Sequence, residues 1–194
     1  MSADRQIINT GLWRWLQHTG LERFEFSRAH DEWSFRGAIL VLMDHDPVEA
    51  RYELACDHSF LTRRALISVR DSGGERSLEI SGEDGHWYEN GRENPSVRGA
   101  LDIDLGWSPS TNTLPIRRLG LQTGQSSGEF IAAWVRFPSL TLEPLPQQYV
   151  RISERLYRYS SRGGAFTAQL QVDDHELVLE YEGLWQQVRP ENDI

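Results

Sequence analysis

Apolar and polar residues alternate with a period of two along most of this chain. Every second residue from Val48 to Cys56 is apolar, and the positions between them are mostly charged. Because successive side chains of a β-strand point to opposite faces, this pattern predicts a strand with one packed face and one wet face. The same alternation recurs in five further runs, at residues 23–27, 65–69, 78–80, 166–173 and 177–181.

Clusters of turn-forming residues separate these runs at regular intervals. They are rich in Gly, Pro, Asp and Asn and occupy residues 44–47, 71–75, 82–85, 90–95, 123–128, 162–164 and 173–176. Such spacing predicts an all-β protein. Only the segment from Thr10 to Gly20 suggests a helical turn, and no segment has the pattern of a crossover helix.

A sheet of about ten or more strands must curl, close or split so that its edges are protected. We therefore predict an all-β fold in which a long antiparallel sheet is curled into an open or barrel-like architecture. Neither a linker nor a shift in composition divides the chain, so residues 1–194 are predicted to form a single domain.

The charge of the chain narrows its partners. The net charge is −9, and all 20 basic residues are arginines spread along the chain, so we expect no nucleic-acid partner. The longest apolar run, residues 38–43, is too short to span a membrane. The single Cys56 cannot form an internal disulfide, and the first residues lack the apolar region of a secretion signal, so we predict a cytoplasmic location.

Residues 102–119, with the sequence DIDLGWSPSTNTLPIRRL, carry the most distinctive polar pattern. If this segment starts as a strand, Asp102 and Asp104 share one face, with Cα atoms about 6.5–7 Å apart. Pro109 and Pro115 then bound a stretch of Ser, Thr and Asn residues whose side chains can bond their own backbone. The pattern predicts a stiff loop that holds polar groups in place.

A paired arginine follows this loop. On a strand, Arg117 and Arg118 would point to opposite faces, so that one of them could reach back to an aspartate or to a ligand. Five residues are candidate polar contacts of a ligand: Asp102, Asp104, Asn112, Arg117 and Arg118. The alternative is that the arginines hold the aspartates for structural reasons alone.

Seven tryptophans give this chain an aromatic content that suits a ligand groove. Tyr157 and Tyr159 are two residues apart, so on a strand they share a face, and we expect them to form an exposed pair beside a half-wet groove. The aromatic residues predicted to line the groove are Trp87, Trp107, Trp134, Trp185, Tyr157 and Tyr159. Ordinary burial in the core is the alternative for each tryptophan taken by itself.

The segment 102–119 and three other stretches together resemble the bacterial "putative glycolipid-binding" family. The other stretches are YELACDHSFLTRR at residues 52–64, GHWYENG at 85–91 and LVLEYEGLW at 177–185. The resemblance extends over nearly the entire chain. It implies an open, barrel-like antiparallel sheet, similar to the bacterial carriers of the outer-membrane lipoprotein localisation pathway, and an amphipathic ligand that is a glycolipid or a related lipid. It supplies no catalytic residues.

The leading interpretation is a non-catalytic protein that holds an amphipathic small molecule, with acyl chains in an apolar groove and sugar faces on aromatic rings. The alternative is a hydrolase acting on a glycoside or an ester, with Asp102 and Asp104 as acid and base. No G-x-S-x-G motif or glycine-rich phosphate loop supports an enzyme. Five of the six histidines lie within two residues of an aspartate, but none has metal-ligand spacing, so we predict neither a metal nor a cofactor. The oligomeric state is left open.

Overall fold

The computed structural model describes residues 5–189. Fifteen strands in this range form one sheet. The strands are β1 (Gln6–Trp15), β2 (Thr19–Ala29), β3 (Glu32–Met43), β4 (Asp46–Cys56), β5 (Thr62–Asp71), β6 (Gly74–Glu83), β7 (His86–Glu89), β8 (Arg92–Glu93), β9 (Ile103–Leu105), β10 (Phe130–Val135), β11 (Leu142–Ser153), β12 (Leu156–Ser161), β13 (Phe166–Val172), β14 (Val178–Tyr181) and β15 (Trp185–Val188). One α-helix, α1 (Thr113–Leu119), lies within the same range. No helix of the described residues is long and apolar enough to cross a membrane.

The sheet is open. Its order runs from β8 back to β1, continues with β15 and ends at β9, so that β8 and β9 form its two edges. The predicted all-β fold with a long, open sheet is confirmed. One pair of strands differs from the prediction, because β9 and β10 are parallel. A parallel pair needs a crossover connection, and α1 lies in it. The expectation of a sheet without a crossover helix was therefore wrong.

The helical turn expected between Thr10 and Gly20 was also wrong. β1 occupies most of this range, and β2 follows directly after a turn at residues 16–18. Trp13 and Trp15 lie on the inner face of β1, where each indole stacks on another aromatic ring. Alternate burial of two large rings favours a strand over a helix, because a strand places every second side chain on the same face.

The alternation predicted for residues 177–181 does not match the structure. A β-bulge at Leu179 in β14 shifts its pairing with β13. Val178 and Tyr181 are consequently buried, whereas Leu179 is half-buried. A bulge places one extra residue on a strand, so the side chains that follow it no longer keep the simple period of two.

The tyrosines of β12 lie inside the core. Tyr157 and Tyr159 share a face, as expected, but they are 0% and 3% exposed, so the expectation of an exposed pair was wrong. Tyr159 makes edge-on contacts with Tyr149 and Tyr181, at centroid distances of 5.1 and 5.9 Å. These contacts, one with the adjacent strand β11 and one with β14, favour burial, since offset and edge-on aromatic pairs are attractive.

A close approach between β3 and β4 provides a test of this core. The ring of Tyr52 lies over Gly37, and a β-carbon at Gly37 would overlap the ring. We expect Gly37→Ala to lower the free energy of unfolding by about 1–3 kcal/mol, because Tyr52 must leave its packed position. Urea denaturation followed by tryptophan fluorescence measures the change.

Gly73→Ala is the matched control, because Gly73 lies in an exposed turn where the nearest atom belongs to the side chain of Asp71. Its effect should stay within about 0.5 kcal/mol. Equal losses in the two variants would contradict the packing role of Gly37.

Candidate functional site

Residues 102–119, called the crossing segment from here on, run across the inner face of the sheet. They contain β9, a short 3-10 turn at Pro109–Asn112 and α1. Every residue from Trp107 to Ile116 is buried. The predicted polar loop is therefore an interior element, and Arg117 and Arg118 lie in the last turn of α1 and not on a strand.

The local sequence explains why this helix forms. Pro115 lies in the first turn of α1, where a backbone N–H has no partner within the helix, so its ring costs no hydrogen bond. Gly120 ends the helix with φ = 54°, a left-handed conformation that glycine adopts without strain, and its N–H donates to Ile116. A helix of seven residues is too short to show a helical period, which is why the sequence pattern missed it.

The crossing segment bonds to both halves of the sheet. On one side, the backbone N–H of Ile103 donates to Oγ1 of Thr62 on β5, at 3.3 Å. On the other side, Nδ2 of Asn112 donates to the hydroxyl of Tyr149 on β11, at 2.8 Å. Oγ1 of Thr113 donates to a carbonyl in the turn between β13 and β14. The polar side chains of the segment are thus used mainly to attach it inside the fold.

Asp102 and Arg118 form a buried ion pair. Nε of Arg118 lies 3.0 Å from Oδ1 of Asp102, and Nη2 lies 2.5 Å from Oδ2. The side chains are 1% and 16% exposed, respectively. Burial raises the pKa of Asp102, and the guanidinium opposes that rise. Because both oxygens of Asp102 are engaged, the structure does not support the hydrolase alternative, which requires Asp102 and Asp104 to act as an acid and base pair.

Arg117 is also engaged by the protein. Its Nη1 donates to the carbonyl of His175, at 2.9 Å. Its guanidinium lies over the rings of Phe60 and Trp33, at 4.7 and 5.5 Å from their centroids. Such contacts of a cation with aromatic faces are attractive. Both arginines therefore dock the end of α1. Arg118 pairs with an aspartate, whereas Arg117 binds a backbone carbonyl and two aromatic rings.

The buried pair generates a stability prediction. Arg118→Gln should lower the free energy of unfolding by about 3–5 kcal/mol, because it leaves the Asp102 carboxylate buried without a counter-charge. Adding Asp102→Asn should recover part of that loss, since the unpaired charge is then removed. Urea denaturation of the two variants measures the coupling.

The control for this pair is Arg70→Gln, which breaks the exposed ion pair of Arg70 with Glu75. Exposed pairs contribute at most about 1 kcal/mol. If Arg118→Gln lowers the free energy of unfolding no more than this control does, the ion pair of Asp102 with Arg118 is not important for stability.

A second carboxylate has different surroundings. Asp104 borders a cavity of about 200 Å³ between the crossing segment and strands β10 to β15. Five of the residues predicted from the sequence meet there: Asp104, Asn112, Trp134, Tyr159 and Trp185. Sequence reasoning missed several other lining residues, which include Ser108, Ser161, Arg162, Phe166, Tyr181 and Leu184. Of these six residues, only Phe166 and Tyr181 could have been found from the sequence, because they occupy apolar positions of the alternating runs at 166–173 and 177–181.

Asp104 is half-buried and lies at one wall of this cavity. Its Oδ2 accepts a hydrogen bond from Nε2 of Gln147 on β11. Burial raises the pKa of Asp104 to about 6, and the nearby Asp102 contributes to the rise. Asp104 is therefore mainly ionised at neutral pH but close to the range in which a ligand or a change of pH alters its charge.

The other predicted site residues lie outside this cavity. Nε1 of Trp87 donates to the carbonyl of Ala100, at 2.8 Å, and the ring is fully buried. Trp107 packs against Tyr52 and Phe137 in the core. Tyr157, Asp102, Arg117 and Arg118 are absent from the cavity lining. Among residues 5–189, no cluster of three metal-ligating side chains is formed.

A buried glutamate was missed altogether. Glu22 is 0% exposed, and its Oε1 accepts hydrogen bonds from the hydroxyls of Tyr52, at 2.5 Å, and Ser108, at 2.8 Å. Its Oε2 has no partner within the described part of the chain. The sequence contained a signal, because Glu22 shares the face of Phe24 and Phe26, so that an acid stands in an apolar row. Burial raises its pKa to about 8.

This glutamate predicts how stability depends on pH. The pKa of Glu22 rises from 4.5 to about 8 on folding, so between these values the folded state binds more protons than the unfolded state. Glu22 therefore contributes stability that is fully present below its unfolded pKa and is lost as pH rises through its folded pKa. The free energy of unfolding falls by at most about 1.4 kcal/mol per pH unit in this range. Glu22→Gln should remove this loss and flatten the dependence of the melting temperature on pH.

Thermal denaturation at several pH values between the two pKa values tests the prediction. Glu53→Gln, which changes an exposed glutamate on β4, is the matched control and should retain the wild-type slope. An unchanged slope in Glu22→Gln would exclude this role for Glu22.

Comparisons with known proteins extend these observations. Residues 10–187 match a family model described as "Putative glycolipid-binding". A solved structure of a DUF1089 family protein from Pseudomonas aeruginosa is 34% identical, with a TM-score of 0.78, over 86% of this chain and 92% of that chain. A β-barrel-like protein of the DUF1849 domain from Brucella abortus is 11% identical, with a TM-score of 0.54, over 95% of both chains, which shows a similar fold alone. No curated protein matches the chain.

Proposed function

The chain belongs to the glycolipid-binding family, and we propose that it binds the sugar headgroup of an amphipathic glycolipid in the cavity beside Asp104. The observation that carries the proposal is the convergence of aromatic rings with a few polar side chains. Trp185 and Tyr159 bring rings to the cavity, and Asp104 and Asn112 bring a carboxylate and an amide. A ring system can cover the apolar face of a sugar while the polar groups bond its hydroxyls.

The size of the cavity indicates which part of the ligand enters. A volume of about 200 Å³ is below the roughly 300–1,000 Å³ of pockets for drug-sized ligands. It suits one sugar ring and not a complete glycolipid. Phe166 and Leu184 are half-buried and border the same cavity, so we place the start of the alkyl portion beside them.

The interior of the fold is filled by side chains and does not accommodate acyl chains. The crossing segment packs Trp107, Leu114 and Ile116 into the core on the inner face of the sheet. This packing replaces the apolar groove that we expected to hold acyl chains. The proposal therefore concerns recognition of a headgroup, with the alkyl portion outside the core.

We also propose a cytoplasmic location, which the chemistry of the single cysteine supports. Cys56 is unpaired and fully buried, and burial raises the pKa of its thiol well above the usual value. A buried neutral thiol without a disulfide partner suits a reducing compartment.

Titration with octyl β-glucoside below its micelle concentration tests the proposed function. Tryptophan emission should change on binding, because Trp134 and Trp185 line the cavity. Trp134→Leu should weaken binding by about threefold to tenfold, since an aromatic contact contributes roughly 0.5–1.5 kcal/mol beyond its area.

The matched control is Trp33→Leu. Trp33 is also half-buried, but it stacks on Phe26 and Phe60, away from the cavity. Its removal should leave the dissociation constant unchanged. If no alkyl glycoside binds the wild-type protein, and native mass spectrometry of gently purified protein shows no retained lipid, the proposed function is wrong. If Trp134→Leu binds as well as wild type, the site lies elsewhere.

A further inference from the structure

Asp104 is a carboxylate without a cationic partner. Among residues 5–189, the neighbouring Asp102 has a bidentate arginine, but no ion pair involves Asp104. Its one side-chain hydrogen bond comes from the neutral amide of Gln147, to Oδ2. No hydrogen bond from the described residues reaches Oδ1. A half-buried carboxylate of this kind is stabilised by any positive charge that enters the cavity beside it.

Aromatic rings form much of the wall around this carboxylate. Tyr159, Phe166 and Tyr181 contact one another with ring centroids 5.9 to 6.3 Å apart. Trp134 and Trp185 line the same cavity. The face of an aromatic ring carries negative charge density, so several rings about one small space attract a cation, and sites for ammonium ligands are built in this way.

The rim of the cavity already shows the same attraction. The guanidinium groups of Arg136 and Arg162 lie 5.1 and 5.2 Å from the ring centroid of Trp134. Arg162 is exposed and borders the cavity. A cationic group of a ligand is therefore repelled by Arg162 at the rim. Its favourable position is beside Asp104 at the wall of the cavity.

We propose that the ligand of this cavity carries an alkylammonium group, either a protonated amine or a quaternary ammonium, which pairs with Asp104 between the aromatic side chains of the wall. This inference rests on the proposed function, because it takes the same cavity as the ligand site. The shared chemistry is an alkylammonium group on a small polar headgroup. It is present in an amino sugar of a glycolipid and in the choline of a phospholipid, and both are compatible with a cavity of about 200 Å³.

The pH dependence of the pairing follows from the groups that face Asp104. Tyr149, Tyr159 and Tyr181 have pKa values raised by burial, so they stay neutral near neutral pH. Asp102 is paired with Arg118, and the guanidinium of Arg162 lies at the rim. Glu22 reaches the cavity only through Ser108, and its pKa is about 8. Asp104, with a pKa of about 6, is therefore the group that changes charge between acidic and neutral pH.

Isothermal titration calorimetry with four probes tests the inference. The probes are octyl β-glucoside, octyl β-glucosaminide, its N-acetylated form and octylphosphocholine, each below its micelle concentration. At about pH 7 a probe that carries an ammonium group should bind at least about tenfold more tightly than the neutral glucoside. At about pH 5 this advantage should disappear because Asp104 is protonated. The N-acetylated form, which lacks the charge, should behave like the glucoside.

Asp104→Asn removes the charge with little change in shape. It should abolish the preference for the ammonium group, so that octyl β-glucosaminide binds this variant no more tightly than octyl β-glucoside does. The matched control is Asp174→Asn, since Asp174 is an exposed aspartate paired with Arg155 in the turn between β13 and β14. This variant should keep both the preference and its pH dependence. The wild-type pH titration gives the same information if Asp104→Asn fails to fold.

The outcomes separate the two proposals. Equal binding of the glucoside and both amine-bearing probes by the wild type overturns the inference and leaves the proposed function standing. Tight binding of octyl β-glucosaminide supports both. Tight binding of octylphosphocholine alone supports the pairing of an ammonium group with Asp104. It overturns the proposal that the headgroup is a sugar. If none of the four probes binds and native mass spectrometry shows no retained lipid, the proposed function and the inference are both wrong.

Discussion

The inner face of this sheet cannot be completed by the sheet itself, because its two edge strands β8 and β9 do not pair with each other. A curled open sheet leaves an apolar concave surface, and exposing that surface to water is unfavourable in proportion to its area. The crossing segment resolves this constraint. It buries ten consecutive residues, 107–116, against strands from both halves of the sheet.

Filling an apolar interior with a segment rich in Ser, Thr, Asn and Asp requires a partner for each polar group. Two of these partners come from distant strands, Tyr149 for Asn112 and Glu22 for Ser108. The partner of Asp102 is Arg118, which lies within the segment itself. Asp104 is the exception, because only an amide reaches it. The same element that closes the core therefore provides one wall of the cavity and a carboxylate that has no counter-charge among residues 5–189.

This arrangement changes how the relation to lipid ligands is understood. An open β-sheet with seven tryptophans suggested a long apolar groove, but the groove is occupied by the protein's own chain. Of the four tryptophans proposed for its wall, Trp87 and Trp107 are core residues, whereas Trp134 and Trp185 border the cavity. The proposed recognition site is a small space between the crossing segment and strands β10 to β15, which suits a headgroup better than an acyl chain.

The alternation of apolar and polar residues predicted six of the fifteen strands in residues 5–189, namely β2, β4, β5, β6, β13 and β14, because a period of two is a local property that neighbouring residues specify. The sequence also singled out the crossing segment and brought five of the cavity residues to attention. Which of the two aspartates forms an ion pair depends on the tertiary structure. Asp102 and Asp104 are the same residue type two positions apart, and the difference lies in Arg118 and Gln147. Burial and charge compensation depend on which distant side chains fold against a residue, and a local pattern carries no information on that.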